Sequence, residues 1–364
     1  MNGRIKVAEM FCGIGGFRLG LERANLALAE QEGRGGPRRH GTEPPGERWH
    51  GHKEETLRCV WANDIDRHAC QVYRKRWNDG TLVEGDIRAV DASSIPDHEL
   101  LTAGFPCQSF SVAGKRKGFA DTRGTLFFEI ARVLEHKKPQ YLLLENVEGL
   151  LSHSNGQTFQ KVLEVLSDLG YLLQWQVLNS RDFGVPQNRK RVFIVGHLGG
   201  QPRPQVFPVG EVGEVSSREA NSEPESGEAS ALEASYEKTK NLSNMIDTTG
   251  ALTGGGHSGG LHSQMTMIYD GHHKQFTEKM GTLTGRENRQ GTNWLIAGNT
   301  KIRRLTPTEC ERLQGFPDGW TATGITAEGE PVGISDTQRY KMLGNAVTVN
   351  VIESLGRRLL EAGW

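Results

Sequence analysis

The stretch Ile5-Lys6-Val7-Ala8-Glu9-Met10-Phe11-Cys12-Gly13-Ile14-Gly15-Gly16 decides the fold. Residues 5–11 read as a β-strand, and the glycines after them as a tight turn into a helix. Glycines at such a junction let a ligand come close to the backbone, with helix N–H groups pointing at it. A nicotinamide fingerprint would need a third glycine at position 18, which is Arg18. Taken alone, an ordinary strand–helix turn remains the alternative.

Working outward, Cys59-Val60-Trp61-Ala62 reads as a second strand that ends at Asn63-Asp64. Tyr141-Leu142-Leu143-Leu144 and Val192-Phe193-Ile194-Val195 are short apolar runs of the kind buried on both faces of a sheet. Phe159, Val162, Leu163 and Leu166 follow helical spacing, with Gly170 as the stop. This alternation predicts an α/β protein with a mostly parallel sheet. Farther on, Thr306 suits an N-cap, Pro307 the first turn and Glu309 the third position of a capping box. A last helix should bury Val351, Leu355 and Leu359.

Two stretches break the pattern. Residues 30–56 are rich in Gly, Pro, Arg, Glu and His without an apolar period. Residues 199–240 are linker-like and acidic, with eight acidic against four basic residues between 201 and 240. Neither carries the apolar content that offsets ordering entropy, so both read as insertions. Residues 241–300 are rich in Gly, Thr, Asn and His and suggest a separate small domain of strands and loops. Within it Ala251-Leu252-Thr253-Gly254 echoes Thr282-Leu283-Thr284-Gly285, and each precedes a short apolar stretch ending in isoleucine, Met267-Ile268 and Leu295-Ile296. Shared β-loop composition accounts for the echo as well as a repeat does.

At 364 residues the chain can hold one large core and a smaller domain. A mean hydropathy of −0.52, and no apolar run of the ~18 residues a spanning helix needs, predict a soluble, cytoplasmic protein with no membrane partner. The net charge of −1 excludes a histone-like polycation but not a local cationic cleft for nucleic acid. The five cysteines are odd in number and lack a Cys-x-x-Cys pair, so neither a disulfide framework nor a metal site is expected.

One cysteine stands apart. In Gly104-Phe105-Pro106-Cys107-Gln108-Ser109-Phe110-Ser111 the thiol follows a glycine and a φ-fixing proline, so it can be aimed at a substrate. A free thiol has a pKa near ~8.5 and is only a few per cent thiolate at neutral pH. No histidine follows within the motif as a base, which argues against a papain-like hydrolase and for a substrate that is itself activated. Asp64 and Asp86 sit at successive strand ends, where carboxylates suit ribose hydroxyls and an adenine amino group. Ile65 adds an apolar face. Glu145 ends the strand at 141–144 and points at a crevice. Arg189 and Arg191 in Gln187-Asn188-Arg189-Lys190-Arg191 can point the same way if that segment is extended.

Taken in order, these motifs resemble the DNA (cytosine-5)-methyltransferase family of bacterial and phage restriction–modification type. The resemblance is carried by the stretch at 11–16, Pro106-Cys107-Gln108, Glu145-Asn146-Val147, Gln187-x-Arg189-x-Arg191, Arg304-Leu305-Thr306-Pro307-x-Glu309-x-x-Arg312-Leu313-Gln314-Gly315-Phe316-Pro317 and Gly344-Asn345-Ala346-Val347. Asp121-Thr122-Arg123-Gly124-Thr125-Leu126-Phe127-Phe128 matches a further family block. The resemblance implies a Rossmann-like sheet that binds S-adenosyl-L-methionine, from residues 1–196 plus 336–364. A mostly β and loop target-recognition domain at 197–302 and a hinge and return segment at 303–335 would complete the chain.

By that resemblance Cys107 attacks carbon 6 of a cytosine flipped out of double-stranded DNA, and Glu145, Arg191 and Arg189 activate the ring. Cofactor contacts are expected from Phe11, Gly13, Gly15, Gly16, Asp64, Ile65, Asp86, Ile87, Pro106, Leu126, Asn345 and Val347. Ile65 departs from the aromatic ring common at its position. DNA contacts are expected from Gln108, Ser109, Ser111, Lys115 and Arg123, and in the small domain from Thr282, Leu283, Thr284, Arg286 and Arg289. A monomer suffices, and a cognate restriction endonuclease would be a functional partner, not a physical one. A transfer-RNA methyltransferase of the same family and a non-catalytic DNA-binding regulator are the competing readings.

Overall fold

The structure, a computed structural model, describes residues 4–31, 56–105, 126–199, 206–207, 267–270, 275–277, 294–298 and 301–362. Its centre is a seven-stranded sheet. The strands are β1 (Ile5–Met10), β2 (Leu57–Asp64), β3 (Leu82–Glu84), β4 (Leu100–Gly104), β5 (Tyr141–Val147), β6 (Tyr171–Asn179) and β7 (Lys190–Leu198), in the order β3-β2-β1-β4-β5-β7-β6. The pairs from β3 to β5 are parallel, as the alternation predicts. β7 runs antiparallel to both β5 and β6. That reversal brings the first residues of β7 to the edge where β1, β4 and β5 end.

The two-residue period of the strands sorts the core into two layers. Ala8, Met10, Leu142, Leu144 and Ile194 face the helices α3 (Leu126–Lys137) and α4 (Gln157–Asp168). Val7, Leu143 and Val195 face α1 (Gly16–Gln31) and the last helix, α7 (Val349–Glu361). α7 buries Val351, Leu355 and Leu359, the stripe read from sequence. Phe159, Val162 and Leu166 of α4 are buried, and Gly170 sits just beyond that helix at φ 90°.

Helix α2 (Arg67–Arg76) starts at Asp66, whose carboxylate accepts from the N–H groups of His68 and Ala69. After residue 304 comes α5 (Pro307–Leu313), which opens with the expected capping box. The Thr306 hydroxyl accepts from Glu309 N, and the Glu309 carboxylate accepts from Thr306 N at 2.7 Å. α6 (Asp336–Asn345) then leads into α7.

A second sheet, antiparallel and four-stranded, has the order β11-β10-β8-β9, formed by β8 (Met267–Asp270), β9 (Gln275–Thr277), β10 (Trp294–Gly298) and β11 (Lys301–Arg304). Ile268 and Ile296, the isoleucines that end the two echoed stretches, are cross-strand partners in it. A hairpin of β12 (Thr323–Ile325) and β13 (Pro331–Gly333) packs on α2, where Arg74 donates to Ile325 O. The chain divides into two compact units, residues 1–209 with 266–364, and residues 210–265; the second lies outside the described residues, as do most residues of the insertions expected at 30–56 and 199–240. Among the described residues, no helix is long and apolar enough to cross a membrane, and no His, Cys, Asp or Glu cluster could hold a metal ion.

Candidate active site

The turn after β1 is strained. Phe11 lies at φ 55°, in the left-handed region that costs a side-chain-bearing residue about 1–2 kcal/mol. The surroundings hold it there. Cys12 N donates to Asn63 O at 3.0 Å, Gly13 N to Asp64 Oδ2 at 2.7 Å, and Gly15 N to Cys12 O at 2.9 Å. The other Asp64 oxygen accepts from Asp66 N at 2.8 Å. Burial pushes the Asp64 carboxyl upward, and the N–H groups of Asp66 and Gly13 oppose that rise. Each oxygen keeps a further lone pair for a ligand.

The three glycines of the turn divide by role. A Cβ on Gly15 would lie 2.1 Å from Trp77 Cζ3, and one on Gly16 would lie 2.7 Å from Val347 Cγ1. These two are small because protein packs against them. Only Gly13 meets nothing within 4 Å, so the expected close approach of a ligand fits that position alone. Ile65, next in sequence to Asp64, is an apolar side chain left 66% exposed. Phe11 and Leu126 are half-buried, Val347 is buried and Asn345 exposed.

Two further expected cofactor contacts follow β3. Ile87 is buried in the core, and its carbonyl accepts from Arg132 Nη2. Asp86 caps the short turn that follows it and forms an ion pair with Arg88, which holds its carboxyl down at about 2. It faces the exterior as a carboxylate already engaged by its own neighbour.

The second half of the site lies where β5 ends and β7 begins. Antiparallel pairing sets Val147 opposite Arg191, and from there Arg191 Nε reaches Glu145 Oε1 at 2.9 Å. Both side chains are largely buried. Gly104 is the register partner of Glu145 on β4, so this ion pair sits one strand from the segment leading to Cys107. Asn146, quoted above within a motif but given no role of its own, ties the two strand ends together. Its Nδ2 donates to Phe105 O at 2.8 Å, and its Oδ1 accepts from Val147 N. That link spans the sheet between residues 41 apart, so no local pattern announces it.

Arg189 departs from the expectation. Its side chain is 2% exposed, and Nη2 donates to Gly344 O at 3.1 Å and Ala346 O at 2.8 Å. The segment is not extended there. Gln187 N bonds Val185 O and Arg189 N bonds Gln187 O, and the strand starts only at Lys190. Arg189 and Arg191 therefore diverge. Pro106, Cys107, Gln108, Ser109, Ser111, Lys115 and Arg123 lie outside the described residues, as do Thr282, Leu283, Thr284, Arg286 and Arg289.

A strained turn after the first strand of a mainly parallel sheet and an acid–arginine pair where β5 ends and β7 begins place the candidate residues at the strand ends of an α/β fold. Residues 5–361 match the family of C-5 cytosine-specific DNA methylases, and the chain belongs to that family. It is a DNA (cytosine-5-)-methyltransferase. It is 36% identical over 363 residues to the type II methyltransferase M.NlaX of Neisseria lactamica, covering 98% of this chain and 96% of that one. It is 32% identical over 356 residues to the type II methyltransferase M.HhaI of Haemophilus parahaemolyticus, covering 96% and 92%. The crystal structure of the S. pombe Dnmt2 methyltransferase is similar in fold, with a TM-score of 0.59 at 21% identity over 98% of this chain and 99% of that one.

Proposed function

We propose that this enzyme methylates carbon 5 of a cytosine in one short double-stranded DNA sequence, using S-adenosyl-L-methionine and a covalent bond from Cys107. The observation that carries the reading is the Glu145–Arg191 pair beside the strand leading to Cys107. The residues fit the cofactor. Gly13 leaves open the space a Cβ would fill, Ile65 presents an uncovered apolar face, and Asp64 offers carboxylate oxygens between them. Phe11, Gly13, Asp64, Ile65, Asn345 and Val347 would hold it, with Asp86 at the rim; Gly15, Gly16, Ile87 and Leu126 would support that wall, and Pro106 would follow it in sequence. When bound, the cofactor supplies an electrophilic methyl group on a sulfonium.

Carbon 5 of cytosine is a poor nucleophile. Addition of the Cys107 thiolate to carbon 6 breaks the ring conjugation and makes carbon 5 enamine-like. Glu145 contacts N3 and the exocyclic amine and stabilises the charge that develops there, while Arg191 contacts the O2 side. After methylation, loss of the carbon 5 proton and elimination of the thiolate restore the ring. The base must be flipped out of the duplex, at a cost of a few kcal/mol. Gln108, Ser109, Ser111, Lys115 and Arg123 would contact the DNA around that base, and Thr282, Leu283, Thr284, Arg286 and Arg289 would serve recognition.

The names of the type II relatives support a modification role, opposite a cognate endonuclease that need not bind this chain; the enzyme would act in the cytoplasm, where the DNA is. Tritium transfer from labelled cofactor, compared between duplex DNA and transfer RNA, tests the substrate. Label in RNA alone overturns the reading. Bisulfite sequencing of DNA from expressing cells then returns the site, and Cys107→Ser should abolish both transfer and the denaturation-resistant adduct with 5-fluorocytosine DNA.

A further inference from the structure

The geometry points to Arg189 as a positioning residue that couples the cofactor-facing turn at Asn345 to the base-facing pair Glu145–Arg191. The inference rests on the assignment of those two places under the proposed function. It follows from where the two ends of Arg189 are fixed.

The guanidinium end closes a helix. The last carbonyls of a helix lack intrahelical partners and carry partial negative charge. At the end of α6 two of these, Gly344 O and Ala346 O, both accept from Arg189 Nη2. They flank Asn345, which is exposed, and Val347 follows against Gly16 of the strained turn. Arg189 therefore sets the path of the chain where α6 hands over to α7.

The backbone end starts a strand. Arg189 N donates to Asn179 Oδ1 at 3.0 Å, and its carbonyl accepts from Ser180 N at 2.9 Å. Two residues on, Arg191 is paired with Glu145. One buried side chain thus joins the turn that meets the cofactor to the strand that meets the base. A second buried link runs alongside. Ser180 Oγ shares a hydrogen bond with Thr348 Oγ1 at 2.7 Å, and Thr348 Oγ1 donates to Gln314 Oε1 at 2.8 Å. Inside a protein such bonds are stiff and strong, so a shift at Asn345 is transmitted to Arg191 instead of being absorbed.

Coupling is measured as a ratio of affinities. The probes are S-adenosylhomocysteine, which has no transferable methyl group, and a duplex oligonucleotide carrying the site found by bisulfite sequencing. In the wild type, saturating S-adenosylhomocysteine should tighten duplex binding by at least ~5-fold. In Arg189→Met that ratio should fall to within ~2-fold of one, while each binary affinity stays within ~3-fold of wild type. Arg189→Lys keeps the charge but not the planar fork, and should give an intermediate ratio.

A plain stability role would lower both binary affinities and the melting temperature together and leave the ratio intact. That result overturns the inference. So does an unchanged ratio in Arg189→Met, a wild-type ratio of one, or failure of both variants to fold. Wild-type protein that binds neither probe overturns the proposed function itself, and the inference with it.

Discussion

Replacing Glu9 by glutamine is expected to change how stability depends on pH. Glu9 lies on β1, 1% exposed, on the face covered by α1. Tyr73 Oη donates to its Oε2 at 3.3 Å, and Arg18 Nη1 donates to the same phenol oxygen. Arg18 is also ion-paired with Glu22 and Asp79, and the Cys59 thiol lies 3.7 Å from Tyr73 Oη. Burial raises the Glu9 carboxyl from 4.5 to about 8, against the pull of Arg18 and Tyr73. Below pH 4.5 the acid is protonated whether the chain is folded or not, and its favourable contribution is fully present. Between 4.5 and about 8 the unfolded chain releases the proton and the folded chain keeps it, so stability falls as pH rises.

The slope is at most ~1.4 kcal/mol per pH unit, which sums to a ceiling of ~5 kcal/mol across the window before the folded carboxyl ionises and the curve flattens. Glutamine keeps the shape and an acceptor for Tyr73 but cannot titrate. Its stability relative to wild type should therefore improve by ~2–3 kcal/mol between pH 5.5 and 7.5. Urea unfolding of both proteins at pH 5.5, 6.5, 7.5 and 8.5 measures the gap. A gap that stays constant over that range refutes a protonated Glu9 in the folded core.

Glu145→Gln and Arg191→Met should each lower kcat by ~10²–10³-fold, as expected for groups that stabilise developing charge, beyond the stability lost when a largely buried partner is left unpaired. Equal losses of stability and activity would count against that role. Gly15→Ala should destabilise by ~2–4 kcal/mol, from a Cβ driven into Trp77 and a φ of 81° disfavoured for alanine. Calorimetry of Gly15→Ala with and without Trp77→Leu should recover part of the loss in the double variant. Ile65→Ser removes an apolar side chain that is 66% exposed, so melting should move little while the cofactor KM rises ~10-fold. An unchanged KM would remove Ile65 from the site.

What could be read in advance was local. The Thr306–Glu309 capping box and the stripe Val351, Leu355, Leu359 depend on residues three or four apart, and both are present. The run at 192–195 was legible as a buried strand, but an apolar run looks the same in either direction. Its antiparallel place between β5 and β6 was not legible. The same limit misled the reading of Arg189. Alternation tells which way side chains point only inside a strand, and β7 begins one residue later. The small residues at Gly15 and Gly16 were visible, but not that Trp77 and Val347 need the room. Both partners are far along the chain; Trp77 belongs to no motif, and the motif that holds Val347 does not say what it packs against.

The turn that opens the fold is finished by residues some 300 positions later in the chain. Trp320 Nε1 donates to Ile14 O from 306 residues away, and Val347 packs on Gly16. Such separations delay closure of the contact during folding. A ribosome that has made β1, β4 and β5 has therefore made most of the sheet without the residues that wall the turn at 11–16. The nascent chain should be unable to methylate DNA until residues around 347 have cleared the exit tunnel, so the activity would appear in one step and late in synthesis of the domain.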